Sequence, residues 1–140
     1  MPLAHVNYLA VLVAAVVIFV LGGLWYSKML FAKRWIVLMG KSEEELKASS
    51  ASGNMPLMFI GAFICGFLIA GTLAIVVNHF PPYTAARGAE IGVVCWLGFA
   101  ATTSFATALF SMQPKQLWLI NSGYNLVSFV LAGIILSLWR

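Results

Sequence analysis

Four long stretches of this chain contain no Asp, Glu, Lys or Arg, and that pattern constrains the fold more than any other feature. The first runs from Leu3 to Ser27, and the others from Met55 to Val77, from Ile91 to Met112 and from Leu117 to Trp139. Each is long enough for a helix rising 1.5 Å per residue to cross roughly 30 Å of hydrocarbon, which takes about 20 apolar residues. A backbone in hydrocarbon must satisfy its own hydrogen bonds, and these runs lack the alternating polarity of a barrel strand, so they are expected to be helices. The fold class that follows is all-α, an integral membrane bundle of four transmembrane helices. The spans fall at about 3–26, 55–77, 88–111 and 117–139 in a single membrane domain over residues 1–140.

Composition excludes the soluble alternative. The 140 residues are 62% hydrophobic and 9% charged, with eight Lys and Arg against four Asp and Glu, whereas a soluble domain carries about 25% charged residues. The net charge of +4 does not point to a nucleic-acid partner, because eight of the twelve charges lie between Lys28 and Lys47. The remaining four are Arg87, Glu90, Lys115 and Arg140, so the charges mark loops and ends. The N-terminal stretch lacks the basic segment of a secretory signal and is too long for its apolar core, so it reads as the first span.

The connection 28–54 is the longest, and its first half, KMLFAKRWIVLMG, mixes basic residues with Trp35, Ile36, Leu38 and Met39. That composition suits an amphipathic segment on the headgroups, with Lys28, Lys33 and Arg34 meeting anionic lipid. Ser42 and Glu45 have capping-box spacing and are expected to start a short helix reaching Lys47. The adjacent prolines of NHFPPYT stop a helix, with Thr84 as N-cap of the third span, and the short SMQPK loop makes spans three and four antiparallel neighbours. Lys and Arg in short loops stay on the cytoplasmic side. The first and third loops hold Lys28, Lys33, Arg34, Lys41, Lys47 and Lys115, against Arg87 and Arg140 on the other side, so both termini are expected outside.

A polar side chain inside a span is costly and is the first place to look for function. Asn121, Asn125 and Ser128 share one face of span four by their i, i+4, i+7 spacing, and Asn125 lies roughly 12 Å from Leu117 along the axis. Thr102, Thr103 and Thr107 pass the same depth on span three, and Trp25 and Tyr26 end span one there. One expectation is a cytoplasm-facing polar pocket lined by Trp25, Tyr26, Thr103, Asn121 and Asn125, binding or passing a small solute or ion. The competing one is a non-catalytic structural or accessory protein, in which these groups only hydrogen-bond helices or subunits together. Arg87 and Glu90, three apart at the start of span three, form an expected ion pair at the outer mouth; a split pair would leave Glu90 to bind a cation or relay protons with His5 or His79.

Small residues at four-residue spacing, Ala62, Gly66 and Ala70 in span two and Gly88 and Gly92 in span three, are expected to mark close packing within the bundle or between subunits of a homo-oligomer. No catalytic motif is present: there is no G-x-S-x-G, H-E-x-x-H, C-x-x-C or phosphate loop, and no Asp at all. Cys65 and Cys95 each stand alone in apolar runs and are expected to be buried, inert thiols. No enzymatic activity, cofactor or metal is therefore expected.

The strings LGGLWYSKMLFAKRW and WLGFAATTSFATALFSMQPKQLWLINSGYNLVSFVLAGIILSLW resemble the small bacterial and fungal membrane proteins grouped as domain of unknown function 1761. In that family a G-x-L-W-Y-S-like motif ends the first helix before a basic, Trp-containing segment, and the last helix carries an N-x-G-Y-like motif. The matching positions are Gly22, Trp25, Tyr26, Ser27 and Trp35, then Trp96, Gly98, Thr102, Thr103, Asn121, Gly123 and Tyr124. The residue after that Tyr is often His in the family, whereas this chain has Asn125. Thr102 and Tyr124 complete the expected pocket, and a bacterial inner membrane is the expected location. The resemblance implies no activity.

Overall fold

The computed structural model describes residues 5–27, 30–40, 44 and 55–140. Its described elements are all helical: α1 (Tyr8–Trp25), α2 (Ala32–Met39), α3 (Met55–Val77), α4 (Ala85–Cys95), a π-helical segment (Trp96–Ala101), α5 (Thr102–Phe110) and α6 (Lys115–Leu138). α4, the π segment and α5 run continuously, so four helices are long and apolar enough to cross a membrane: Tyr8–Trp25, Pro56–Val77, Ala85–Phe110 and Lys115–Leu138. The third starts at Ala85, ahead of the residue 88 expected from hydropathy, which brings Arg87 and Glu90 into its first turns. The Ser42–Glu45 capping box and Lys28 fall outside the described residues, apart from Glu44 itself.

Local chemistry sets the helix starts. Asn7 caps α1, its Oδ1 accepting from the backbone N–H of Leu9 and Ala10 at 3.1 and 3.2 Å, and Thr84 caps α4 by accepting from Arg87 N at 3.2 Å. Each such cap satisfies donors that have no partner inside the helix. α2 ends at Gly40, whose φ of +72° is the left-handed conformation that glycine adopts without strain.

α6 is the centre of the bundle, and α1, α2, α3, α4 and α5 all pack on it. Buried Ala10, Ala14 and Ile18 of α1 meet Ala70, Leu73, Ala74 and Val77 of α3 and Ala132 and Leu136 of α6 in one core cluster. Gly66 and Ala70 are buried within the bundle while Ala62 faces outward, so the small-residue stripe of span two is only partly an internal seam. Leu57, Met58, Phe59, Ile60, Ile64 and Leu68 of α3 also face outward, as suits contact with lipid. Cys65 is on that outer face and Cys95 is half-buried, so the expectation of two buried thiols fails. Outward apolar surface is ordinary where the surroundings are acyl chains, and polarity therefore did not predict which side of α3 is inside.

The closest approach is between α4 and α6. A Cβ placed on Gly88 would lie 2.7 Å from the carbonyl carbon of Gly133 and 2.8 Å from Ser137 Cβ, and one on Gly92 would lie 2.8 Å from the carbonyl carbon of Phe129. Only glycine allows the two backbones to touch there. At the same end Ser137 Oγ donates to Thr84 O at 2.8 Å, and the Arg140 guanidinium stacks 3.4 Å over the Tyr83 ring.

Candidate functional site

The third span changes its relation to α6 along its length. α4 lies against α6 backbone to backbone, but beyond the π segment α5 meets α6 through side chains. Trp118 Nε1 donates to Ser104 Oγ at 3.0 Å, and the Phe105 and Trp118 rings pack edge to face with centroids 4.9 Å apart. Glycines close one end of this helix pair and an indole holds the other end open. The π segment lies at the transition, and the carbonyls around it are taken up by the hydroxyls of the next turn: Thr102 Oγ1 donates to Gly98 O at 2.9 Å, Thr103 Oγ1 to Phe99 O, and Ser104 Oγ to Ala100 O at 2.7 Å. Such back-bonding satisfies a widened helix at membrane depth, and π turns of this kind are frequent at functional sites.

The wedge encloses an open cleft of about 390 Å³, lined by Thr103, Ser104 and Thr107 of α5, Gln113 of the turn, and Trp118, Asn121, Ser122 and Asn125 of α6. Among the described residues its wall holds no charged side chain. Asn125 makes no side-chain hydrogen bond among the described residues, and the Ser122 hydroxyl is buried there without a partner. The Ser122 carbonyl does have one, accepting from Trp96 Nε1 at 3.0 Å.

Six of the seven residues expected to form one pocket divide into two groups. Thr103, Asn121 and Asn125 line the cleft. Trp25, Tyr26 and Tyr124 instead form an aromatic lock between α1 and α6. Trp25 Nε1 donates to Ile120 O at 2.9 Å, Tyr26 OH to Asn121 Oδ1 at 2.7 Å and Tyr124 OH to Ile18 O at 2.9 Å. The Tyr26 ring packs against Tyr124 at 5.6 Å and Trp35 of α2 at 5.1 Å, and Trp25 against Phe31 at 4.9 Å. Two glycines make room for this lock: a Cβ on Gly22 would meet Tyr124 OH at 3.0 Å, and one on Gly123 would meet Trp25 Cζ2 at 3.2 Å. Asn121 belongs to both groups. Thr102 belongs to neither, since it is exposed and bonded back to its own helix.

Ser104, Gln113, Trp118 and Ser122 line the cleft without having been singled out from sequence. A sequence signal existed in the run Thr102, Thr103, Ser104, Thr107 facing Asn121, Ser122 and Asn125 across a short loop. Trp118 reads as an interfacial aromatic until the structure turns its N–H toward Ser104.

Arg87 and Glu90 form the expected i, i+3 pair at 2.8 Å, with side chains 37% and 60% exposed. Both are wet, and Glu90 is not split from Arg87 toward the bundle. His79 Nδ1 lies 2.7 Å from Ile75 O on its own helix. On α2, Lys33 and Arg34 are exposed, and Arg34 Nε donates to Gln116 Oε1 of α6 at 2.9 Å.

The chain matches the family described as protein of unknown function (DUF1761) over residues 9–137, and it belongs to that family. No curated protein and no solved structure matches it.

Proposed function

We propose that this member of a family of unknown function is an integral membrane protein that binds a small polar solute in the cleft between α5 and α6. The observation that carries the reading is the contrast between the two polar groups. The aromatic lock has its hydrogen bonds made within the chain, whereas the Asn125 amide lines the cleft with no partner among the described residues; the buried Ser122 and Ser128 hydroxyls are also unpartnered, and of these only Ser122 lies at the cleft. Polar groups in a membrane bundle are expensive unless something pairs with them, and a cavity of about 390 Å³ is within the usual range for small-ligand sites, about 300–1,000 Å³. The cleft lies beside α6, and the backbones of α4 and α6 touch at Gly88, Gly92 and Gly133, which favours binding, or passage by rearrangement, over a standing pore.

Basic residues support an orientation. Lys33, Arg34 and Lys115 lie at the cleft end and Arg87 and Arg140 at the other, which favours a cytoplasm-facing cleft with both termini outside, in a bacterial inner membrane. Exposed Lys33 and Arg34 on α2, with Trp35 packed inward, suit contact with anionic headgroups.

The competing reading, a structural or accessory protein probed through its helix contacts, draws support from the Tyr26–Asn121 bond, which joins helices by a residue that also lines the cleft. In that reading a second copy covers the α5–α6 face in a homo-oligomer. A high-resolution map of the protein in lipid separates the two. Compact non-protein density between Thr107 and Asn125 is the expected result; a helix of a second copy filling the cleft would replace the solute reading with the structural one.

A further inference from the structure

The polar groups of the cleft are not interchangeable. On the α5 wall, Thr103 Oγ1 donates to Phe99 O and Thr107 Oγ1 donates to Thr103 O at 3.1 Å, so each hydroxyl has spent its one proton and presents only lone pairs to the cleft. On the α6 wall, Asn121 Oδ1 accepts from Tyr26 OH, which leaves both amide N–H protons of Asn121, and one lone pair of its oxygen, unpartnered. Asn125 offers both a donor and an acceptor. Acceptors on one wall thus face donors on the other, with the Trp118 indole, held by Ser104 and Phe105, as an apolar flank.

Among the described residues, no carboxylate, Lys or Arg lines the wall. A charged solute held there gives up part of its water without gaining a counter-charge from the described lining, which is unfavourable. An alkali cation would also face the amide N–H groups of Asn121. A neutral solute that carries hydroxyl or amide groups gives up less and finds partners for both its donors and its acceptors. The Ser122 hydroxyl, 3% exposed behind this wall and without a partner among the described residues, is a further unmet polar group on the same side.

Resting on the solute-binding reading above, we infer that the α5–α6 cleft selects an uncharged solute rich in hydroxyl or amide groups, which accepts from the Asn121 and Asn125 amide N–H groups and donates to the Thr103 and Thr107 hydroxyl oxygens. The described lining offers an ion no counter-charge, which favours the neutral solute.

The test is saturation-transfer NMR on the full chain in lipid nanodiscs, with myo-inositol and acetamide as neutral probes and acetate, tetramethylammonium and potassium, the last by competition, as charged ones. Either neutral probe is expected to bind, and Asn125→Leu and Thr107→Val, made separately, are each expected to weaken it by about tenfold, the equivalent of one hydrogen bond lost. If instead a charged probe binds or competes and responds to those two substitutions, the cleft is a solute site but its selectivity for neutral solutes is wrong. If no probe binds, or binding is the same in both variants as in the unaltered chain, the solute-binding reading falls and the selectivity falls with it.

Discussion

Tyr26 at the end of α1 and Asn121 on α6 are joined by a 2.7 Å hydrogen bond in which the phenol donates to Asn121 Oδ1. The bond does two things at once. It ties α1 to the centre of the bundle, and it orients an amide whose remaining N–H groups belong to the cleft wall. Tyr26→Phe removes the donor and keeps the ring against Tyr124 and Trp35. Interhelical hydrogen bonds in membranes are worth about 0.6 kcal/mol on average and up to about 1.7. A loss of stability in that range is expected in an unfolding titration in mixed micelles, with the fold unchanged by circular dichroism.

The α4–α6 seam is predicted to be far less tolerant. Gly88→Ala places a methyl 2.7 Å from the Gly133 carbonyl carbon and 2.8 Å from Ser137 Cβ, and the first of these neighbours is backbone that cannot rotate away. Overpacking of this kind costs about 1–3 kcal/mol. Gly61→Ala, with nothing within 4 Å of its new methyl, is the control and is expected to be neutral or slightly stabilising. Both variants are read by thermal unfolding in the same detergent.

Ser122→Ala has an unusual expected signature. The hydroxyl it removes is buried and unpartnered, so its loss relieves a desolvation cost and leaves the empty protein as stable as before or more so. Affinity for a cleft solute is expected to change little in the same variant, because the hydroxyl lies behind the wall. Parallel loss of stability and affinity would mean that the hydroxyl has a structural partner.

At the opposite end, Glu90→Gln breaks an exposed pair with Arg87 and should change stability by no more than about 0.5 kcal/mol. Proton flux into vesicles is expected to be the same for Glu90→Gln as for the unaltered chain. A variant with altered flux would restore the proton-relay role that the pairing argues against.

Much of the fold is legible in the four charge-free runs, because a helix that crosses a membrane leaves a length and polarity signature that needs no partner to interpret. Caps at Thr84 and the antiparallel pairing of the last two spans follow from local chemistry in the same way. What lies beyond local chemistry is how neighbouring helices meet. Hydropathy cannot tell the inner face of α3 from its outer face, since Leu73 and Leu68 are equally apolar while one is buried and the other exposed. Nor does the helix run from Ala85 to Phe110 announce its π segment, whose extra width is visible only in backbone geometry. For the same reason the expected pocket mixed two sites. Trp25, Tyr124 and Asn125 share a depth, but the side on which each emerges depends on the angle between α1, α5 and α6.

The most direct measurement sets stability beside binding for one substitution, Asn125→Leu. Its amide lines the cleft and makes no hydrogen bond among the described residues. A solute site therefore predicts an unchanged or raised Tm for the empty variant, together with loss of neutral-probe binding. A fall in Tm with probe binding intact would show that Asn125 joins helices, and the cleft would not be a site.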